Sequence, residues 1–138
     1  METNEQADPP KRRYDLEERT ARFGEEVITL AKRIALDPIT QRLIPQLVAA
    51  ATSVGANYCE AEEAESRKDF RHKLAICKKE CRESKHFLRM VACARPALRE
   101  DILRLHREAH QLNLIFAASI RTLDARLAPS KPIGPTLP

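Results

Sequence analysis

A chain of 138 residues, 43% hydrophobic and with only 3 Gly, can bury one real core and excludes a disordered or β-rich polypeptide. An aromatic share of 4% and the absence of Trp make that core aliphatic and rich in alanine. The formal net charge of +4 is mildly basic, compatible with nucleic acid or an acidic partner without demanding either.

Four cysteines, Cys59, Cys77, Cys81 and Cys93, show no C-x-x-C spacing. With neither a secretory start nor a run of about 18 apolar residues, a cytoplasmic chain is expected, with reduced thiols packed as small core residues and no membrane partner. No metal and no cofactor is expected.

Residues 1–13 are polar and carry Pro9-Pro10 followed by Lys11-Arg12-Arg13, which predicts a flexible N-terminal arm. A bundle domain is expected over 14–127, with helices at about 15–35, 40–65, 67–94 and 96–127. Asp15 with Glu18 opens the first helix as an N-cap pair. Leu16, Thr20, Phe23, Val27, Leu30 and Ile34 recur at 3–4 spacing and form its apolar stripe, and Asp37-Pro38 breaks the chain.

The second helix carries Leu43, Leu47, Ala50, Val54, Tyr58 and Ala61. Pro45 lies within its first two turns, so the helix should either start near Pro45 or bend there. Ala49, Ala50, Ala51, Gly55 and Ala56 leave little bulk, so another helix can approach closely. A polar row of Gln46, Ser53, Asn57 and Glu60 runs along the edge of the stripe and needs partners.

Ser66 with Asp69 caps the third helix, whose inner face is Phe70, Leu74, Cys77, Cys81, Leu88 and Val91. Lys73 and Glu80 share that arc. Lys73 is placed to meet Glu60, and Arg19 of the first helix to meet Glu80 or Glu60. The favoured reading of this set (Arg19, Gln46, Ser53, Asn57, Glu60, Lys73, Glu80) is a structural polar network that fixes helix register.

Another side of the third helix carries Arg67, Arg71, Lys78, Arg82, Lys85 and Arg89 within about 60° on the wheel. From Ser66 to Arg95 there are ten Lys/Arg against three Asp/Glu, whereas Ala56–Glu65 holds four Glu and no base. Like charges at i, i+4 repel, so the stripe calls for an external anion. Two candidates stand level: nucleic acid, and the group Glu60, Glu62, Glu63 and Glu65 on another subunit.

Arg95-Pro96 ends the third helix and places Pro at the start of the fourth. Leu98, Ile102, Leu105, Ala109, Leu112, Phe116 and Leu123 form its inner stripe. Between Leu112 and Ile120 it is apolar nearly all round, and the surplus at Leu114, Ile115 and Ala118 predicts a subunit interface. Ala128–Pro138 holds four of the nine Pro and reads as a disordered tail.

Catalytic signatures are weak. His106 and His110 are one turn apart, but Glu108 is misplaced for H-E-x-x-H. Glu83 and His86 have the E-x-x-H spacing of di-iron bundles without the second pair and the extra inward Glu that such a centre needs. Surface or edge histidines are the better reading, and a metal-dependent enzyme is only the second alternative. A non-enzymatic protein is expected.

The motifs together resemble a known family. Asp15-Leu16, Arg19 and Phe23, then Gln46-Leu47, Ser53-Val54-Gly55-Ala56-Asn57-Tyr58-Cys59-Glu60-Ala61, Ser66, Asp69-Phe70, Lys73-Leu74, Lys79-Glu80 and Glu83-Ser84 are similar to the 23S rRNA intervening-sequence proteins of bacteria. The likeness covers about Tyr14 to Val91, and the fourth helix matches only in length and apolar character. It implies an antiparallel up-down-up-down four-helix bundle assembled as a ring, commonly a homopentamer.

It also implies distant similarity to the accessory variability determinant of diversity-generating retroelements, which binds a reverse transcriptase and nucleic acid. A reverse transcriptase or ribosomal partner is thus among the implied partners. The chain departs from the family at Pro45 and at Val48-Ala49-Ala50, where relatives often carry Arg-Ser. If that Arg binds anions in relatives, its loss weakens nucleic-acid binding here. The expected function is an oligomeric scaffold or weak RNA/DNA-binding accessory; the alternative is a protein–protein interaction module.

Overall fold

The computed structural model describes residues 15–127. The expected arm and Pro-rich tail lie outside the described residues. Within them the chain forms α1 (Leu16–Lys32), α2 (Thr40–Glu62), α3 (Arg67–Ala94), a 3₁₀ turn (Pro96–Leu98) and α4 (Arg99–Leu127). Each helix packs on its neighbour in sequence, α4 closes on α1, and α1/α3 and α2/α4 lie diagonally. This is an all-α antiparallel four-helix bundle with up-down-up-down order.

The stripes explain the packing. Phe23, Val27, Leu47, Val54, Leu74, Leu88, Ile102, Leu105, Leu112 and Phe116 are fully buried and meet along the axis. The side chain of Asp15 accepts from the Glu18 amide (3.2 Å) and that of Ser66 from the Asp69 amide (3.0 Å). Each thereby satisfies one of the orphan donors at a helix start.

α2 and α3 pack extensively, with the buried Cys77 thiol donating to the Val54 carbonyl across the seam (3.5 Å). Burial pushes the Cys77 thiol up to about 12 and raises Cys81 as well, so both are inert core residues. Cys59 and Cys93, expected in the core, are exposed instead, because each falls on the outer face of its helix.

Three boundaries differ from the sequence expectation: the end of α1, the end of α2, and the start of α4, where Pro96–Leu98 form a 3₁₀ turn and the α-helix begins only at Arg99. α1 stops at Lys32, where the Arg33 amide turns back to Leu30 and Ala31. Ile34 remains buried beyond the helix end. α2 begins at Thr40 and runs through Pro45, so its start is not displaced toward the proline. Pro45 leaves the Gln41 carbonyl without its helical donor, but Gln41 is exposed and water can serve it. At its other end α2 stops at Glu62, where clustered glutamates oppose the negative end of the helix dipole.

A hub that the sequence reading treated only as a chain break starts α2. Asp37 Oδ1 accepts from the amides of Ile39 and Thr40, both at 2.8 Å. Thr40 Oγ1 donates to the Ala35 carbonyl and accepts from the Asp37 amide, both at 2.9 Å. Arg95 then donates to Asp37 Oδ2 at 2.7 Å, which ties this loop to the α3–α4 turn. The legible signal was the Asp-Pro-x-Thr spacing, a side-chain cap set three residues ahead of the helix.

The Arg95 guanidinium, followed by the Thr40 and Ile39 amides, holds the Asp37 carboxyl far below the ordinary 3.8. The unfolded chain therefore takes up this proton first as pH falls. The stabilisation is complete above about pH 4 and is lost on acidification toward the folded-state value. Asp37→Asn keeps an acceptor but removes the charge. Thermal melts from pH 7 to pH 2 should show the variant well below wild type at pH 6, with the gap closing in acid. Parallel curves would show that the carboxylate charge is not what holds the loop.

Candidate nucleic-acid interface

The stripe of α3 follows from its register. With the core face set by Leu74, Cys77, Cys81, Leu88 and Val91, the basic residues fall on the edge toward α4. Arg67, Lys78, Arg82 and Arg89 are exposed and have no ion-pair partner among the described residues.

The other two members are engaged by α4. Arg71 makes a bidentate pair with Asp124 (2.8 and 3.1 Å), and this contact lowers the Asp124 carboxyl. Lys85 Nζ lies 3.0 Å from His110 Nδ1, which accepts in the neutral tautomer. Asn113 donates to the Lys78 carbonyl at 3.0 Å and pins the same edge. Arg99 and Arg121 of α4 lie eleven residues before and after His110, three helical turns away on the same side of the helix, and add to the positive surface beside the α3–α4 seam.

His106 is half-buried beside this surface. Burial, then Lys85, His110 and Arg89, push its imidazole below the ordinary value. His86 stacks edge-on with Phe87, and Glu83 is half-buried. Among the described residues no group of three His, Cys, Asp or Glu is placed to hold a metal ion.

The polar row is not one network. Lys73 meets Glu60 at 2.7 Å, and that bond raises the Lys73 ammonium. Asn57 turns back on its own helix and donates to the Ser53 carbonyl at 2.8 Å. Gln46 is exposed, outside the cluster. Glu80 is half-buried, its carboxyl raised by burial and then by Glu83.

Arg19 does not reach Glu60 or Glu80. It donates to Glu108 of α4 at 2.9 and 2.7 Å, because that side of α1 faces α4 and not the α2–α3 seam. The sequence reading missed the wider pattern. Arg19, Glu26 and the C-cap residue Arg33 recur every seven residues along α1 and its end, and meet Glu108, Arg104 and Asp101 in reverse order on α4, at 2.7, 2.8 and 2.8 Å. Alternating signs select the antiparallel register where the two helices touch least. Half-exposed pairs of this kind contribute only about 0.2–1 kcal/mol each, so the ladder specifies more than it stabilises.

Leu114 is 48% exposed and lines a groove of about 440 Å³ with Leu16, Ile115, Ala118, Ser119 and Thr122. The three residues expected at a subunit interface thus share one apolar surface beside the start of α1. Among the described residues no helix is long and apolar enough to cross a membrane.

Fold and surface together define the class as an antiparallel four-helix bundle with one cationic helix face and no clustered metal ligands among the described residues. The chain belongs to the 23S rRNA-intervening sequence protein family, whose model matches residues 12–117. The match continues past Val91 into α4, further than the motifs alone reach. A crystal structure from Bacteroides thetaiotaomicron, of a protein with unknown function from the S23 ribosomal protein family, is 25% identical with a TM-score of 0.67. It covers 77% of this chain and 98% of its own. No curated protein matches the chain.

Proposed function

We propose that the protein is a non-enzymatic, cytoplasmic bundle that assembles as a ring and binds RNA or DNA through the α3 face. The observation that carries this reading is the row of Arg67, Lys78, Arg82 and Arg89, exposed along one helix and without an ion-pair partner among the described residues. Four such cations repel one another, and a phosphate backbone relieves that repulsion while releasing its own counterions. The apolar groove at Leu114, Ile115 and Ala118 supports self-association, and a reverse transcriptase or ribosomal component fits as a further partner on the strength of the family resemblance.

Affinity measured against salt tests the proposal. Four phosphate contacts predict a log–log slope of about −3 to −4 with duplex DNA. No detectable binding at about 50 mM salt overturns it. The rival reading is a protein-interaction module, favoured by the glutamates that close α2. Burial, then Glu17 and Asp15, raise the Glu62 carboxyl there, which marks a concentrated negative end complementary to the α3 face of another copy.

A further inference from the structure

Between the last turns of α3 and the first turns of α4 lies a groove of about 570 Å³. Its floor is apolar, formed by Ala92, Pro96, Ile102 and Leu103, with Leu103 leaving 37% of its surface in water. Arg89 from α3 and Arg99 from α4 stand on its rim, and His106 closes one side. Arg89 is also the last member of the α3 stripe. A chain that follows Lys78 and Arg82 for about 16 Å along α3 therefore arrives at this groove.

Duplex nucleic acid can use the stripe but cannot use the floor, because its bases are stacked and paired. An unstacked base can. Planar guanidinium and imidazole groups offer stacking surfaces, and leucine, isoleucine and proline offer apolar contact. The volume falls within the range of small-ligand sites. We infer that this groove takes one unstacked nucleotide of a single-stranded nucleic acid, with its phosphate between Arg89 and Arg99 and its base over Leu103.

The inference rests on the nucleic-acid reading of the α3 face and sharpens it to a strand preference. The surroundings of His106 agree with it. The charged and titratable groups that face it are Lys85 and Arg89 on α3 and His110 on α4, all of which oppose its protonation. A phosphate brought to Arg89 and Arg99 offsets those cations, so His106 should titrate at higher pH in the bound state.

Fluorescence anisotropy with an oligonucleotide of about twelve nucleotides, single-stranded and as a duplex, tests the groove. The single strand should bind about tenfold more tightly. Leu103→Ser should abolish that preference while duplex affinity stays within about twofold, and Arg99→Gln should weaken the single strand more than the duplex, with circular dichroism verifying the fold. The upward shift of the His106 proton-NMR titration should be larger with the single strand, which reaches both Arg89 and Arg99, than with the duplex. Equal binding of the two forms, or a preference untouched by Leu103→Ser, overturns the groove inference and leaves the stripe standing. Binding of neither form overturns the stripe reading and the inference with it.

Discussion

Valine at Gly55 is expected to destabilise the bundle by about 2–3 kcal/mol, a fall in Tm on the order of 10 °C. A Cβ at Gly55 would lie 3.3 Å from Thr20 Oγ1 and 3.5 Å from the Thr20 carbonyl carbon and oxygen. Thr20 cannot move aside cheaply. It is buried, and its hydroxyl donates to the Leu16 carbonyl at 2.6 Å. Two γ-carbons on a stiff χ1 therefore push α1 and α2 apart.

Alanine at the same position gains up to about 1 kcal/mol of helix propensity and loses a similar amount to the tight contact, so it should be near neutral. Gly24 supplies the contrast. There a Cβ meets Thr52 and Ala51 at 3.6–3.7 Å, ordinary contact, so Gly24→Ala should stabilise by about 1 kcal/mol. Thermal or urea melts of the three variants order them. A Gly55→Val protein as stable as wild type would show that the α1–α2 approach is not limiting.

What could be read from the chain was what is local. Caps at Asp15 and Ser66 and stripes at 3–4 spacing need only neighbours along one helix, and they define four helices and the bundle. Partners across the bundle depend on how each helix is rotated, which periodicity does not fix. Lys73 and Glu60 lie on either side of a short turn, so their pairing was accessible. Arg19 and Glu108 are 89 positions apart, and a stripe on α1 cannot say which of two flanking helices a long side chain will choose.

The same limit governs the α3 face. Its six cations are evident on a wheel, but only the rotation of α4 shows that Asp124 holds Arg71 and His110 holds Lys85. Asn57, a poor helix former, suggests a tertiary partner, but its side chain is satisfied locally, by the Ser53 carbonyl four residues back on its own helix. Asp37 was hidden for another reason. Its proline neighbour read as an interruption, although aspartate, proline and threonine together build the cap that starts α2.

This division of the stripe determines which side chains to reverse. Arg71 and Lys85 are poor choices, since their loss also disturbs the α3–α4 seam. Arg67→Glu, Lys78→Glu, Arg82→Glu and Arg89→Glu combined change only exposed positions without ion-pair partners among the described residues. If α3 faces phosphates, this variant should bind duplex DNA at least about 100-fold more weakly at low salt and lose most of the salt slope, while light scattering finds the oligomer intact.

If another copy's Glu60, Glu62, Glu63 and Glu65 neutralise the stripe, the same reversal sets negative against negative. The oligomer should then dissociate, and wild type should show no salt-dependent DNA binding to lose. Leu114→Glu acts on the separate apolar groove, where an uncompensated charge opposes burial. It should break the ring in the first reading while each free bundle keeps its cationic face and its affinity per protomer. A monomeric wild-type protein at micromolar concentration removes the ring from either account and leaves the cationic face to be judged on nucleic-acid binding alone.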